Sequence, residues 1–173
     1  MLKIFTDKRT VPFWTLLRIW LGIQWLTASL GKLGNPVWTG EKAGVAITGF
    51  FKNTLTLASG SKPAVQGWYA AFIEKFALPN AKIFSYLIPI GEFAVGLGLI
   101  VGGLTTIALL GGAFMNLNFM LAGTTSTNPI LYTAAILLLA AGTNARTWGV
   151  DSIIAKYLFT NKKPKDKLQA TTA

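Results

Sequence analysis

The chain has 173 residues, 52% hydrophobic and 13% charged, with a formal net charge of +10 and neither cysteine nor histidine. A soluble domain carries about 25% charged residues, so composition points to one small integral membrane domain over residues 1–160. Without thiols or imidazoles there is no disulfide, thiolate nucleophile, iron–sulfur ligation or histidine-ligated haem, and no metal is expected on this chain.

The first predicted element is a helix over Val11–Leu33. It is too long for a signal-peptide core and carries Arg18, so it is read as retained, with Pro12 in its first turn. The segment from Gly34 to Lys82 follows, and its apolar residues (Val45, Ile47, Phe50, Phe51, Trp68, Tyr69, Phe72, Phe76) predict two short amphipathic helices. These either lie in the lipid interface or form a lid over a pocket. Three further spans are expected over Ile83–Val101, Leu104–Ala122 and Pro129–Thr147, each near the ~20 residues that cross a bilayer. Gly102-Gly103 makes the second and third antiparallel neighbours, and Asn128-Pro129 reads as the cap and start of the fourth. Residues 161–173 read as a basic, disordered tail.

The fold expectation is therefore an all-α, integral membrane four-helix bundle. The basic residues sit in the two terminal flanks and the long loop, which suits a lipid bilayer as partner rather than nucleic acid. Lys3, Lys8 and Arg9 at one end and Arg146, Lys156, Lys162, Lys163, Lys165 and Lys167 at the other place both termini in the cytoplasm of a multi-pass protein.

From Ile83 to Ala145 the one charged side chain is Glu92. A carboxylate near a bilayer centre costs about 2.5–3.5 kcal/mol, and such groups usually face a polar cavity or a partner. At 1.5 Å per residue, Glu92 lies about 14 Å from the outer end of its helix, Gln24 and Trp25 about 12–14 Å, and Asn116 about 10 Å. Asn118 and Tyr132 are shallower, Lys32 is near the outer surface, and Arg18 is deeper at about 22 Å. Two readings stand side by side. In one, these residues line a polar cavity in which Lys32 and Arg18 attract an anion and Glu92 handles a proton. In the other, Arg18 and Glu92 form an ion pair that fixes helix packing. Asn116 and Asn118 are about 200° apart around a helix, so both are not expected to face one cavity. Gly91, Ala94, Gly98 and Gly102 read as a close-packing stripe.

Leu17-Arg18 with Leu30-Gly31-Lys32, then Pro89-Ile90-Gly91-Glu92 and the Gly96–Gly103 run, resemble the DoxX/DoxD membrane proteins. Asn116-Leu117-Asn118 and Ser126-Thr127-Asn128-Pro129 look most like the DoxD branch, which includes the large subunit of thiosulfate:quinone oxidoreductase. The resemblance covers roughly residues 11–155. It implies a prokaryotic plasma-membrane protein oxidising thiosulfate to tetrathionate, with quinone as diffusible acceptor and a second membrane or redox subunit as partner. Glu92 and Arg18 would then be catalytic, and Lys32, Gln24, Trp25, Asn116, Asn118 and Tyr132 would bind substrate. The rival expectation is a non-catalytic anchor or assembly partner for redox or export proteins, and a homo-oligomer is compatible with either. A transporter ranks lower, because no internal repeat is evident.

Overall fold

The computed structural model describes residues 3–160, and the predicted tail over 161–173 lies outside the described residues. The described residues are all-helical, with no strand among them. α1 (Lys3–Thr6) and a 3-10 turn (Lys8–Thr10) lead into the long α2 (Val11–Leu33). α3 (Pro36–Thr39), α4 (Val45–Ala58) and α5 (Gly67–Phe72) occupy the long loop, and a π-helical turn (Ile73–Ala77) extends α5. Then come α6 (Ala81–Val101), α7 (Thr105–Leu121), α8 (Asn128–Ala141), α9 (Thr143–Arg146) and α10 (Val150–Thr160).

Four of these helices enclose the main core. α2 packs most closely on α6 and α7 on α8, burying Trp14, Leu21, Trp25, Leu99, Leu109 and Leu138 together. The α2–α6 contact is set by two glycines. A Cβ on Gly96 would lie 2.7 Å from the Leu26 nitrogen, and one on Gly22 would lie 2.9 Å from the Gly96 oxygen. The backbones therefore touch at Gly22 and Gly96, which is how small residues bring helices together. The expected stripe is thus corrected: the helix-to-helix backbone contact is made by Gly96, outside that stripe, and Ala94 within it is exposed.

One end of the bundle, the terminal end, carries α1 and the start of α10. Asn144 Nδ2 donates to the Phe5 and Asp7 carbonyls at 3.1 and 3.0 Å. The α6–α7 turn is at the same end. Gly102 and Leu104 both adopt left-handed backbone there, and Asp151 accepts from the Leu104 and Thr105 N–H groups at 2.7 and 2.9 Å. Burial would raise the Asp151 carboxyl, but hydrogen bonds from Thr105 and Leu104, with the charge of Arg146, hold it below its usual range.

The opposite end, called here the loop end, is covered by α3–α5. Ile47, Phe51, Tyr69 and Ile73 form a second core against α6 and the end of α7. Thr54 Oγ1 donates to the Ala122 carbonyl at 3.2 Å, and Tyr69 Oη donates to the Asn118 carbonyl at 3.0 Å. Burial pushes the Tyr69 phenol up to about 12. The loop helices thus cap the bundle, while Trp68 and Phe76 remain exposed.

The span lengths differ from expectation. Among the described residues only Ala81–Val101 is both long and apolar enough to cross a membrane; Thr105–Leu121 and Asn128–Ala141 are apolar but shorter. The expected fourth span breaks at Gly142, whose φ of +53° and ψ of −112° end α8 at Ala141. Asn128 is not the cap either. It sits inside the first turn of α8, and its Nδ2 donates to the Thr124 carbonyl at 3.0 Å. α10 was not anticipated; Val150, Ile153, Ile154, Tyr157 and Leu158 give it an exposed apolar face.

Candidate functional site

The site begins with the direction in which helical side chains lean. A Cα–Cβ bond tilts toward its helix N-terminus. α2 starts at the terminal end of the bundle and α6 starts at the loop end, so side chains on α2 lean toward the termini and those on α6 lean toward the loops. Lys32 lies ten residues, about 15 Å, loopward of Gly22, and Glu92 four residues, about 6 Å, loopward of Gly96. The remaining gap of about 9 Å is closed because the two side chains lean toward each other. Lys32 Nζ donates to both Glu92 oxygens at 2.8 Å. Glu92 is 2% exposed, whereas the Lys32 side chain is 23% exposed. The ammonium also sits 5.4 Å from the Trp38 ring centre, a favourable place for a cation.

The same rule corrects the expected Arg18–Glu92 pair. Arg18 lies four residues from Gly22 on the terminal side, and its side chain leans further toward the termini. Its Nη2 donates to the Trp148 carbonyl at 2.5 Å, and the guanidinium fills the space over Gly102 and Gly149. Arg18 is a buried tie for the end of the bundle opposite Glu92.

Around the Lys32–Glu92 pair is a cavity of about 250 Å³. That is room for roughly eight waters at about 30 Å³ each, or for one small polyatomic ion with a partial shell. Gln24, Trp25 and Ala28 line it from α2, Trp38 from α3, Ile47 and Phe50 from α4, and Asn116 and Phe119 from α7. Thr124, Ser126, Thr127, Asn128 and Leu131 close the remaining side. Five of the predicted site residues therefore meet in one place: Glu92, Lys32, Gln24, Trp25 and Asn116.

Three predicted residues lie elsewhere. Arg18 is at the terminal end. Asn118 faces away from the cavity, as the helical angle required, and holds the Tyr69 hydroxyl and the Phe114 carbonyl. Tyr132 packs against the main core, and its neighbour Leu131 reaches the cavity instead. The hydroxyls of the 124–127 turn and the indole of Trp38 were missed. The turn's run of threonine and serine was the available signal, although it reads equally well as an ordinary polar turn.

Two cavity groups are buried without a protein partner. The Trp25 indole N–H makes no hydrogen bond, and neither does the Asn116 amide oxygen or nitrogen. Gly112, 3.2 Å from the indole nitrogen when given a Cβ, leaves the ring its space. An unsatisfied buried donor or acceptor costs about 1–3 kcal/mol, so these groups favour whatever polar solute fills the cavity. The lining offers donors from Lys32, Trp25, Asn116, Gln24 and the turn hydroxyls, and one carboxylate. No cluster of three acidic side chains suited to a metal occurs among the described residues.

A second, almost wholly apolar cavity of about 450 Å³ adjoins the first. Phe50 and Phe119 line both, meeting edge-to-face at 6.3 Å between ring centres. Phe51, Phe72, Phe84, Leu87, Phe114 and Met115 are among its other walls, with Tyr69 and Asn118 as its polar lining. Leu87 and Phe114 are also exposed, so this groove opens on the side of the bundle. No family model matches the chain, and no curated protein or solved structure matches it.

Proposed function

We propose that the chain is a four-span membrane protein whose loop-end pocket binds a small oxyanion and passes its electrons to quinone. Support for the membrane comes from the exposed apolar side chains on the outside of all four long helices, among them Leu16, Leu30, Ile83, Leu97, Ile107, Leu110 and Ile130. In lipid these positions cost nothing to expose, and the two shorter helices match a locally thinned or tilted bilayer. The termini then share the cytoplasmic side and the pocket opens outward.

The observation that carries the functional reading is the pocket itself: a lysine at its mouth and two unpartnered groups, Trp25 and Asn116, beside a buried carboxylate. An oxyanion supplies acceptors for the indole N–H, the amide and the ammonium at once. The DoxD resemblance makes thiosulfate the substrate proposed. The reaction balances as two thiosulfate ions joining through their terminal sulfurs to give tetrathionate, with two electrons and two protons converting quinone to quinol. The apolar groove beyond Phe50 and Phe119 suits a quinone ring and tail arriving from the bilayer, and a second subunit is the expected partner.

Quinone reduction by the purified chain in lipid nanodiscs, with and without thiosulfate, tests the reading. Thiosulfate-dependent turnover that Glu92→Gln abolishes while the fold is kept supports it. No turnover from folded wild type moves the assignment to the second reading, a membrane anchor or assembly partner. α10 favours that alternative, with its apolar face exposed beside the cytoplasmic end of the bundle.

A further inference from the structure

The charge balance of the pocket decides how an anion enters it. Among the described residues, Lys32 and Glu92 are the only charged side chains in the lining. α3, α7, α8 and the 124–127 turn contribute none; Lys42, between α3 and α4, is exposed, and Lys52 on α4 and Lys82 on α6 are exposed along a separate groove with Gly44 and Thr48. The one cation is already engaged by both oxygens of the one carboxylate, at 2.8 Å each. An arriving anion therefore meets a neutral pocket and has to take Lys32 from Glu92.

Lys32 is free to make that exchange. Its side chain is partly exposed and rests near the Trp38 ring at the mouth, while Glu92 is 2% exposed and fixed on α6. Once the ammonium turns to the anion, an unpaired carboxylate that is 2% exposed and an oxyanion share one pocket of about 250 Å³. Two like charges in such a space do not both stay ionised, and a buried carboxylate without a cation takes up a proton.

We propose that the pocket captures its anion together with one proton, which Glu92 receives as Lys32 leaves it. The inference rests on the reading of the pocket as an oxyanion site and adds the coupling. It also closes the reaction's proton count. Joining two thiosulfate ions through a new sulfur–sulfur bond releases two electrons to quinone, whose oxygens then need two protons. One proton per captured anion is the same ratio, with Glu92 releasing each proton toward quinone before the next capture.

Calorimetric titration of thiosulfate into the full chain in nanodiscs, in two buffers of different ionisation heat and over a pH series, tests it. The expected wild-type result is one proton taken up per anion, with affinity rising about tenfold for each pH unit lowered in the coupled range. Glu92→Gln is expected to bind thiosulfate more tightly than wild type, without proton uptake and with affinity flat against pH, because Lys32 is then unopposed. Wild-type binding without proton uptake overturns the coupling while leaving the pocket reading intact; the two-buffer comparison needs no variant, so it decides even if the substitution harms folding. Weaker binding in a folded Glu92→Gln also overturns the coupling. Failure of folded wild type to bind thiosulfate at any pH overturns both.

Discussion

Removing either member of the Lys32–Glu92 pair deletes the same bond, yet the two losses are expected to be unequal. Lys32→Met leaves Glu92, 2% exposed, with no other cation in the lining among the described residues. Stranding a buried charge costs about 3–5 kcal/mol, which for a chain of this size lowers the melting temperature by about 6–20 °C. Glu92→Gln strands an ammonium whose side chain is 23% exposed and lies beside Trp38. That group is the partly exposed partner and hydrates with little movement, so its loss is expected to be the smaller of the two. Thermal unfolding of both variants in the same detergent at neutral pH provides the comparison. The cost of Lys32→Met should shrink in acid, because protonation removes the stranded charge. Equal losses, or a greater loss for Glu92→Gln, would refute the argument that burial of the carboxylate dominates this site.

Further predictions follow from other parts of the fold. Gly96→Leu forces α2 and α6 apart, since the new Cβ meets backbone at 2.7 Å; a loss of about 3 kcal/mol or more, or failure to accumulate, is expected from overpacking at a backbone contact. Asp151→Ala frees the Leu104 and Thr105 N–H groups and should cost about 1–2 kcal/mol, measured as a lower unfolding temperature. Because the folded Asp151 carboxyl lies below its usual range, its contribution is full above the unfolded value of about 3.9 and is lost as pH falls through the folded one. The difference between wild type and Asp151→Ala should therefore be flat from neutral pH to about pH 5 and narrow only in stronger acid. For Tyr69 the sign reverses. Its phenol is raised to about 12 from 10.0, so its stabilising contribution is complete below about pH 10 and declines as pH rises from there. One tyrosine should ionise late in an ultraviolet titration, and Tyr69→Phe should remove that late component.

Much of this fold was legible in the sequence because apolar runs and turn residues fix helix number and order. The Gly102-Gly103 turn and a run from Ile83 to Ala145 with Glu92 as its one charge required α6, α7 and α8 to be packed helices. The depth arithmetic brought Glu92, Trp25, Gln24 and Asn116 to one level, and the cavity gathers those four with Lys32. Side-chain direction was the part that counting along the chain did not supply. Arg18 and Lys32 are both long cations on α2, and only the tilt of Cβ toward the N-terminus separates the one that meets Glu92 from the one that points away. The break at Gly142 was likewise hidden, because Ala141 and Ala145 are apolar on either side of it and the irregular backbone is set by the tie of Asn144 to Phe5 and Asp7. Phe50 arrives from a loop helix nearly seventy residues from Phe119, a pairing that no local pattern specifies.

The most direct measurement is equilibrium binding of radiolabelled thiosulfate to the nanodisc-embedded chain, comparing wild type with Lys32→Met and Asn116→Leu. One saturable site per chain is expected, weakened by about tenfold or more in each variant, the equivalent of at least one lost hydrogen bond to a charged ligand. Saturable binding that neither substitution changes, or no saturable binding by folded wild type, would contradict the assignment of the loop-end pocket as an oxyanion site.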